Sequence, residues 1–247
     1  MMNRSTWMRR LGVVAALAIV LALGAGAPAL QAQPEAANMG LTTYNAWAGH
    51  PQCVGNAKVD VLLSGDPVSV GGYETKLNFD ASKFSYAAGN INLTNFLAVN
   101  GRSTSGAAGT PFLVATGANF VKFGDYSWGS NLTGPNAPGT LAQVGLTTLA
   151  CGSSTVSLTE SQVVSTQGAP FQSGTEASVP FVVRGLYDTN ASGGNVTAAD
   201  VNAVLAALGS SGACNANYQF DTNNSGGNIT AADVNAVLTN LGAPSCP

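Results

Sequence analysis

Oxygen-bearing side chains recur at alternate positions in two stretches near the C-terminal end of the chain. Asp188, Asn190 and Ser192 precede Gly193 and Gly194, with Asp200 further on, and Asp221, Asn223, Ser225 and Asp233 repeat the set. Alternating oxygens on a loop that glycines allow to turn tightly make a site for a hard cation, and calcium takes roughly six to eight oxygens at about 2.3–2.6 Å. The expected ligands are the side chains of Asp188, Asn190, Ser192 and Asp200 in the first loop and of Asp221, Asn223, Ser225 and Asp233 in the second. Val196 and Ile229 are expected to pair across the two loops, which makes Asn195 and Asn228 the backbone-carbonyl donors. Two calcium ions are therefore expected. Two carboxylates per loop just balance one ion, so binding should be weak, roughly 10⁻⁴ to 10⁻³ M as in extracellular modules.

The loops belong to a duplication. Residues 188–209 recur at 221–242, an offset of 33, with 18 of 22 positions identical. Each unit divides into a polar, glycine-rich loop and a helix. Val201, Val204, Leu205 and Leu208 fall at i, i+3, i+4 and i+7 and form one apolar stripe, as do Val234, Val237, Leu238 and Leu241. Helices this short are marginal alone, so the two stripes are predicted to pack on each other as one small bundle within 185–247. Gly209 and Gly242 supply the C-terminal stops, and Thr197 and Thr230 stand where N-caps belong.

At the other end, Arg4, Arg9 and Arg10 precede an apolar run from Leu11 to Leu23 and the small residues Ala27, Ala29 and Ala32. That order reads as a secretory signal peptide over 1–32, shorter than the roughly 20 apolar residues of a membrane span. The mature chain is expected to be secreted, extracellular or at the cell surface, with no membrane segment. Loss of the leader removes three of nine basic residues and leaves six against twelve Asp and Glu, so no basic patch exists for nucleic acid. Cys53, Cys151, Cys214 and Cys246 in an exported chain read as two disulfides. Three pairings are open; proximity in sequence favours Cys214 with Cys246 and Cys53 with Cys151.

Residues 33–57 are rich in Ala, Gly, Pro and Asn and read as a linker or a loose first strand. From 58 to 184 the pattern is period two. Val59, Val61 and Leu63 alternate with Asp60 and Leu62, and Tyr73, Thr75, Leu77 and Phe79 alternate with Glu74, Lys76 and Asn78. Further strands are predicted over 91–99, 112–116, 119–123, 140–149, 155–158 and 179–183. The fold class is mostly β: a sandwich followed by a small all-α loop-helix pair.

The segment from Tyr187 to about Gly242, with its shared text DTNxSGGNxTAADVNAVLxxLG, resembles the dockerin family, in which two EF-hand-type calcium loops each lead into a helix without an entering helix. The preceding VPFVVRGLY is strand-like, in keeping with that absence. Two departures stand out: Ser occupies the fifth loop position where the family has Asp, and the loop spans thirteen residues from Asp188 to Asp200 instead of twelve. The stretches VDVLLSG, GGYETKLNFDASKFSY and GTLAQVGLTTLACGSSTVSLTESQVVSTQG resemble the cohesin family and its carbohydrate-binding relatives. Together these resemblances imply calcium-dependent assembly with cohesin- or dockerin-bearing extracellular proteins, in complexes that bind or degrade polysaccharide. By family position, recognition would centre on Thr197, Ala198, Ala199, Thr230, Ala231 and Ala232. Because the halves are identical there, docking in two orientations related by a pseudo-twofold is expected.

Catalysis is not expected. His50 is the only histidine, so no Ser-His or Cys-His pair can be assembled, and Asp125 and Glu160 are isolated acids of the kind usually solvated. The alternative to assembly is a carbohydrate-binding module with a structural calcium cap, whose stacking residues would be Tyr126 and Trp128 in GDYSWGSN.

Overall fold

The structure is a computed structural model and describes residues 36–105, 112–214 and 217–246, with only the backbone of 112–114. The expected leader lies outside the described residues. In chain order the strands are β1 (Ala36–Thr43), β2 (Ala46–Trp47), β3 (Ala57–Gly65), β4 (Val70–Asn78), β5 (Phe84–Leu93), β6 (Ser103–Thr104), β7 (Phe112–Gly117), β8 (Phe120–Trp128), β9 (Gly139–Thr148), β10 (Gly152–Ser165), β11 (Gln172–Glu176) and β12 (Ser178–Arg184). Two helices follow, α1 (Ala198–Ala206) and α2 (Ala231–Leu238).

One sheet runs β11-β1-β3-β9-β5; the other runs β2-β12-β10-β4-β8-β6, with β7 also on β8. Alternation decides what faces inward. Ala57, Val59, Val61 and Leu63 of β3 are buried, as are Tyr73 and Leu77 of β4, while Lys58 is exposed and Lys76 partly so. The inward rows meet in one core, where Phe84 and Phe181 place their ring centroids 4.9 Å apart.

Several expectations need correction. The segment read as a linker or a loose first strand is strand rather than linker where it supplies β1, whose Ala37 and Met39 are buried between neighbours β3 and β11, and β2, which pairs in parallel with β12. Small residues gave this segment a loop-like composition, yet alternate side chains enter the core. The strand predicted over 91–99 stops at Leu93, where Thr94 caps a 3-10 turn over Asn95–Leu97. The short strand at 155–158 is the middle of the 14-residue β10. Strand β11, QSGTE, has no apolar residue to betray it.

The disulfides also differ. They join Cys53 to Cys214 and Cys151 to Cys246, with Cα–Cα distances of 5.1 and 5.7 Å. The C-terminal module folds back over the end of the sandwich where Cys53 and Cys151 lie, so both bonds cross between the halves. They close chain separations of 161 and 95 residues, and loops of this length limit the unfolded chain by roughly 4–5 kcal/mol each in the chain-entropy picture.

Within the module, Val196, Val201, Val204, Ile229, Val234 and Val237 form a small core. The four leucines of the predicted stripes are not in it: Leu205, Leu208, Leu238 and Leu241 are 45–47% exposed. The helices meet along a seam of valines, Leu205 and Leu238 lie one position around each helix from the buried Val204 and Val237, and Leu208 and Leu241 lie beyond the helix ends, all four exposed. Val196 and Ile229 do not pair with each other along the backbone. The Val196 N–H donates to Ala243 O at 2.8 Å and the Val196 carbonyl accepts from Gly242 N–H at 2.9 Å, while Ile229 does the same with Ser210 and Gly209, both at 2.8 Å. Each loop thus clasps the exit of the other repeat's helix. No helix among the described residues is long and apolar enough to cross a membrane.

Candidate metal centre

Each loop is shaped by its own carboxylates. Asp188 is 2% exposed, and its two oxygens accept from Gly193 N–H at 3.2 and 3.0 Å. Asp200, in the first turn of α1, accepts from Asn190 N–H with Oδ1 (3.2 Å) and from Thr197 N–H and Oγ1–H with Oδ2 (2.9 and 3.0 Å). One carboxylate therefore closes the loop and completes the capping box that starts the helix. The second loop repeats the pattern. Asp221 accepts from Ser225 N–H (2.8 Å) and Gly226 N–H (2.7 Å), and Asp233 accepts from Asn223 N–H (3.2 Å), Thr230 N–H (2.8 Å) and Thr230 Oγ1–H (3.0 Å).

The backbone takes the turn that this requires. Gly193, Gly194 and Gly226 have φ of 75°, 77° and 72°, a region open to glycine at little cost. The fourth loop position is left-handed as well, with Ala191 at φ 59° and Asn224 at 56°. Thr189 and Thr222, both buried, donate from Oγ1 to the carbonyls of Asp200 and Asp233 at 2.8 and 2.7 Å. These threonines were not singled out from the sequence, although their identity in both repeats was a signal.

The residues present fit a hard cation. Asp188, Asp200, Asp221 and Asp233 are all at most 2% exposed, and burying a carboxylate without a counter-charge is costly. Among the described residues their one ion pair is with Arg184, whose Nη1 lies 3.7 Å from Asp188 Oδ2. No group of three or more His, Cys, Asp or Glu forms a metal cluster among the described residues, so the donor set is two carboxylates per loop with neutral oxygens. Asn190 and Asn223 are exposed at the loop mouths, their Oδ1 atoms accepting from the N–H of Ser192 and Ser225 at 2.9 Å. Ser192 and Ser225 sit beside them, and the side chains of Asn195 and Asn228 face outward.

The loops are fastened to the sandwich. Trp47 Nε1–H donates to Asp188 O at 2.7 Å, and Asn224 Nδ2–H donates to Gly49 O at 2.8 Å. Trp47, Cys53 and Tyr218 form a small apolar cluster at the junction, and burial pushes the Tyr218 hydroxyl pKa up to about 12. His50 is buried there too, edge-on to Tyr218 with centroids 5.1 Å apart, and burial lowers its pKa against the opposing pull of Asp221. None of these junction residues was picked out as functional from the sequence, because their spacing carries no periodic signal.

The six residues expected to recognise a partner, Thr197, Ala198, Ala199, Thr230, Ala231 and Ala232, are exposed at the helix starts. The two threonines are simultaneously occupied as caps. Tyr126 and Trp128 are 52% and 49% exposed on β8, with ring centroids 5.4 Å apart and planes tilted by 41°. Asp125 is buried and accepts from Tyr126 N–H at 2.8 Å and from Ser105 Oγ–H. Glu160 is bridged to Lys76 and Lys122 at 3.0 and 3.1 Å, which hold its carboxyl below the usual range.

No family model and no curated protein matches the chain. The solved structures similar to it include a cohesin module from a family 33 glycoside hydrolase of Clostridium perfringens, 14% identical, covering 60% of this chain and 97% of its own, with a TM-score of 0.43. A non-cellulosomal cohesin from Archaeoglobus fulgidus is 14% identical over 59% of this chain and 91% of its own, with a TM-score of 0.40. A type II cohesin module from an adaptor scaffoldin of Acetivibrio cellulolyticus is 18% identical over 57% and 91%, also at 0.40.

Proposed function

We propose that this chain is a secreted, calcium-dependent assembly protein in which a cohesin-like sandwich carries a dockerin-type pair of calcium loops, working in extracellular complexes associated with polysaccharide. One observation carries the reading: four carboxylates, two in each copy of a duplicated loop, are buried, and among the described residues their one ion pair is Arg184 with Asp188 at 3.7 Å. Calcium at each loop would supply the missing charge, with Asp188, Asn190, Ser192, Asp200 and the carbonyl of Asn195 holding one ion, and Asp221, Asn223, Ser225, Asp233 and the carbonyl of Asn228 the other. The ion then fixes Asp200 and Asp233, and through them the first turn of each helix. The helices present outward the small residues at 197–199 and 230–232 and the exposed leucines, a surface for a protein partner of cohesin type. The test is capture of proteins from the native secretome on immobilised full-length chain, with and without chelator, alongside the Leu205→Asp, Leu238→Asp double variant. A cohesin-bearing protein retained only with calcium, and lost in the variant, is the expected result. Retention indifferent to both treatments contradicts the proposal.

A second reading is favoured by the half-exposed pair Tyr126 and Trp128. The loop beside them is pinned by buried Arg102, which donates to Ser127 Oγ at 2.9 Å, to Ser127 O at 2.8 Å and to Asn131 O. Rigid, exposed aromatic faces suit stacking on sugar rings. Retention on insoluble polysaccharide that is lost in Trp128→Ala would support carbohydrate binding; equal retention of both proteins would exclude it at this place.

A further inference from the structure

On the outer face of the first sheet, the edge strand β5 leaves its partner. Tyr86 pairs with Leu146 and Ile91 with Val144, so Ala87, Ala88, Gly89 and Asn90 all stand opposite the single residue Gly145. Bulges of this kind re-aim side chains. The result is a recess of about 210 Å³ floored by Gly55 and Gly145 and walled by Lys58, Asn90, Asn92 and Gln143. The glycines make the space: a β-carbon at 145 would lie 2.9 Å from Gly55 O, and one at 55 would lie 3.1 Å from Asn90 Cγ.

The polar groups around the recess are mostly unspent donors. Asn90 Nδ2 is buried and has no hydrogen-bond partner among the described residues, a costly state unless something else accepts from it. Lys58 is exposed on the same face and makes no ion pair among the described residues. No carboxylate lines the recess. The nearest acid along β3, Asp60, is already engaged, accepting from Tyr44 Oη–H at 2.5 Å and from Gln143 Nε2–H at 2.9 Å.

We propose that this recess binds the carboxylate of a small acidic ligand, with the Lys58 ammonium as counter-charge and the Asn90 amide donating to one oxygen. Its volume is below the roughly 300–1,000 Å³ of pockets that take drug-sized molecules, so the occupant is a single acidic unit such as a sugar acid or an acidic amino acid. Charge-assisted hydrogen bonds of this type are the strong ones. The site is independent of the calcium reading and stands or falls separately.

The experiment is a titration of the isotope-labelled full chain, followed through its side-chain amide resonances, with sodium glucuronate, sodium N-acetylaspartate and glucose at matched ionic strength. Saturable shifts of the Asn90 amide with at least one carboxylate, absent with glucose, are expected. Which carboxylate acts distinguishes a sugar acid from an amino acid. Lys58→Met should weaken the response at least tenfold, and Asn90→Leu, followed at the side-chain amides of Asn92 and Gln143 that also line the recess, should do the same while the thermal midpoint of each variant stays that of the parent. Failure of both carboxylates to shift the resonance, an equal response to glucose, or unchanged binding in Lys58→Met would overturn the proposal.

Discussion

At the scale of single residues, the loops show which positions the chemistry demands and which it merely tolerates. The fourth loop position is left-handed in both repeats, yet one carries Ala191 and the other Asn224. Alanine is disfavoured there, whereas asparagine visits that region readily. Ala191→Asn should therefore raise stability by about 0.5–1 kcal/mol, read as a higher denaturant midpoint; Asn224→Ala should lower it by more, because the Asn224 amide also holds Gly49. Asp200 and Asp233 have two tasks each, capping a helix and facing the loop. Asp200→Asn should weaken calcium binding at the first loop by at least tenfold while losing only about 1 kcal/mol of helix stability, a separation that calorimetric titration and chemical denaturation together would reveal. Most of this was legible from alternating Asp, Asn and Ser with paired glycines. The closure by Thr189 and Thr222 was signalled only by their identity in both repeats, since the spacing of a buried threonine does not say what it bonds.

At the scale of elements, the two helices correct a simple expectation. Their sequence permits an apolar face that includes both valines and leucines, and only the packing decides which row is buried. Val204 and Val237 are fully buried, while Leu205 and Leu238 are nearly half exposed. Val237→Ala should cost about 2 kcal/mol by lost burial and the cavity left behind, whereas Leu238→Ala should stay within about 0.5 kcal/mol, both measured by urea unfolding. The strands divide in the same way. β3, β4 and β9 announce themselves by alternation with large apolar residues. β1 and β11 do not, because small and polar residues dominate them and they pair with each other across more than a hundred residues of chain.

At the scale of the whole molecule, the module is not a detached plug. Two disulfides and the Trp47 and Asn224 hydrogen bonds join it to the end of the sandwich, a connection invisible in the sequence because the four cysteines allow three pairings and only the fold selects one. If the first loop holds calcium as proposed, that ion would be coupled to the sandwich through the Asp188 carbonyl. Trp47→Phe removes the hydrogen bond to the Asp188 carbonyl, and should cost about 1–2 kcal/mol and abolish most of the calcium-dependent change in tryptophan fluorescence. The identical helix starts lead to one further expectation: a bulky charged residue at Ala198 alone should leave partner binding nearly intact, while the same change at Ala198 and Ala231 together abolishes it.

The most direct measurement is a calorimetric calcium titration of the oxidised, full-length chain, repeated on the Asp200→Asn, Asp233→Asn double variant and paired with thermal unfolding in calcium and in chelator. Two ions per chain, a higher unfolding temperature with calcium, and loss of both effects in the variant are the expected result. Absence of calcium uptake by the parent, with identical melting in calcium and chelator, would contradict it.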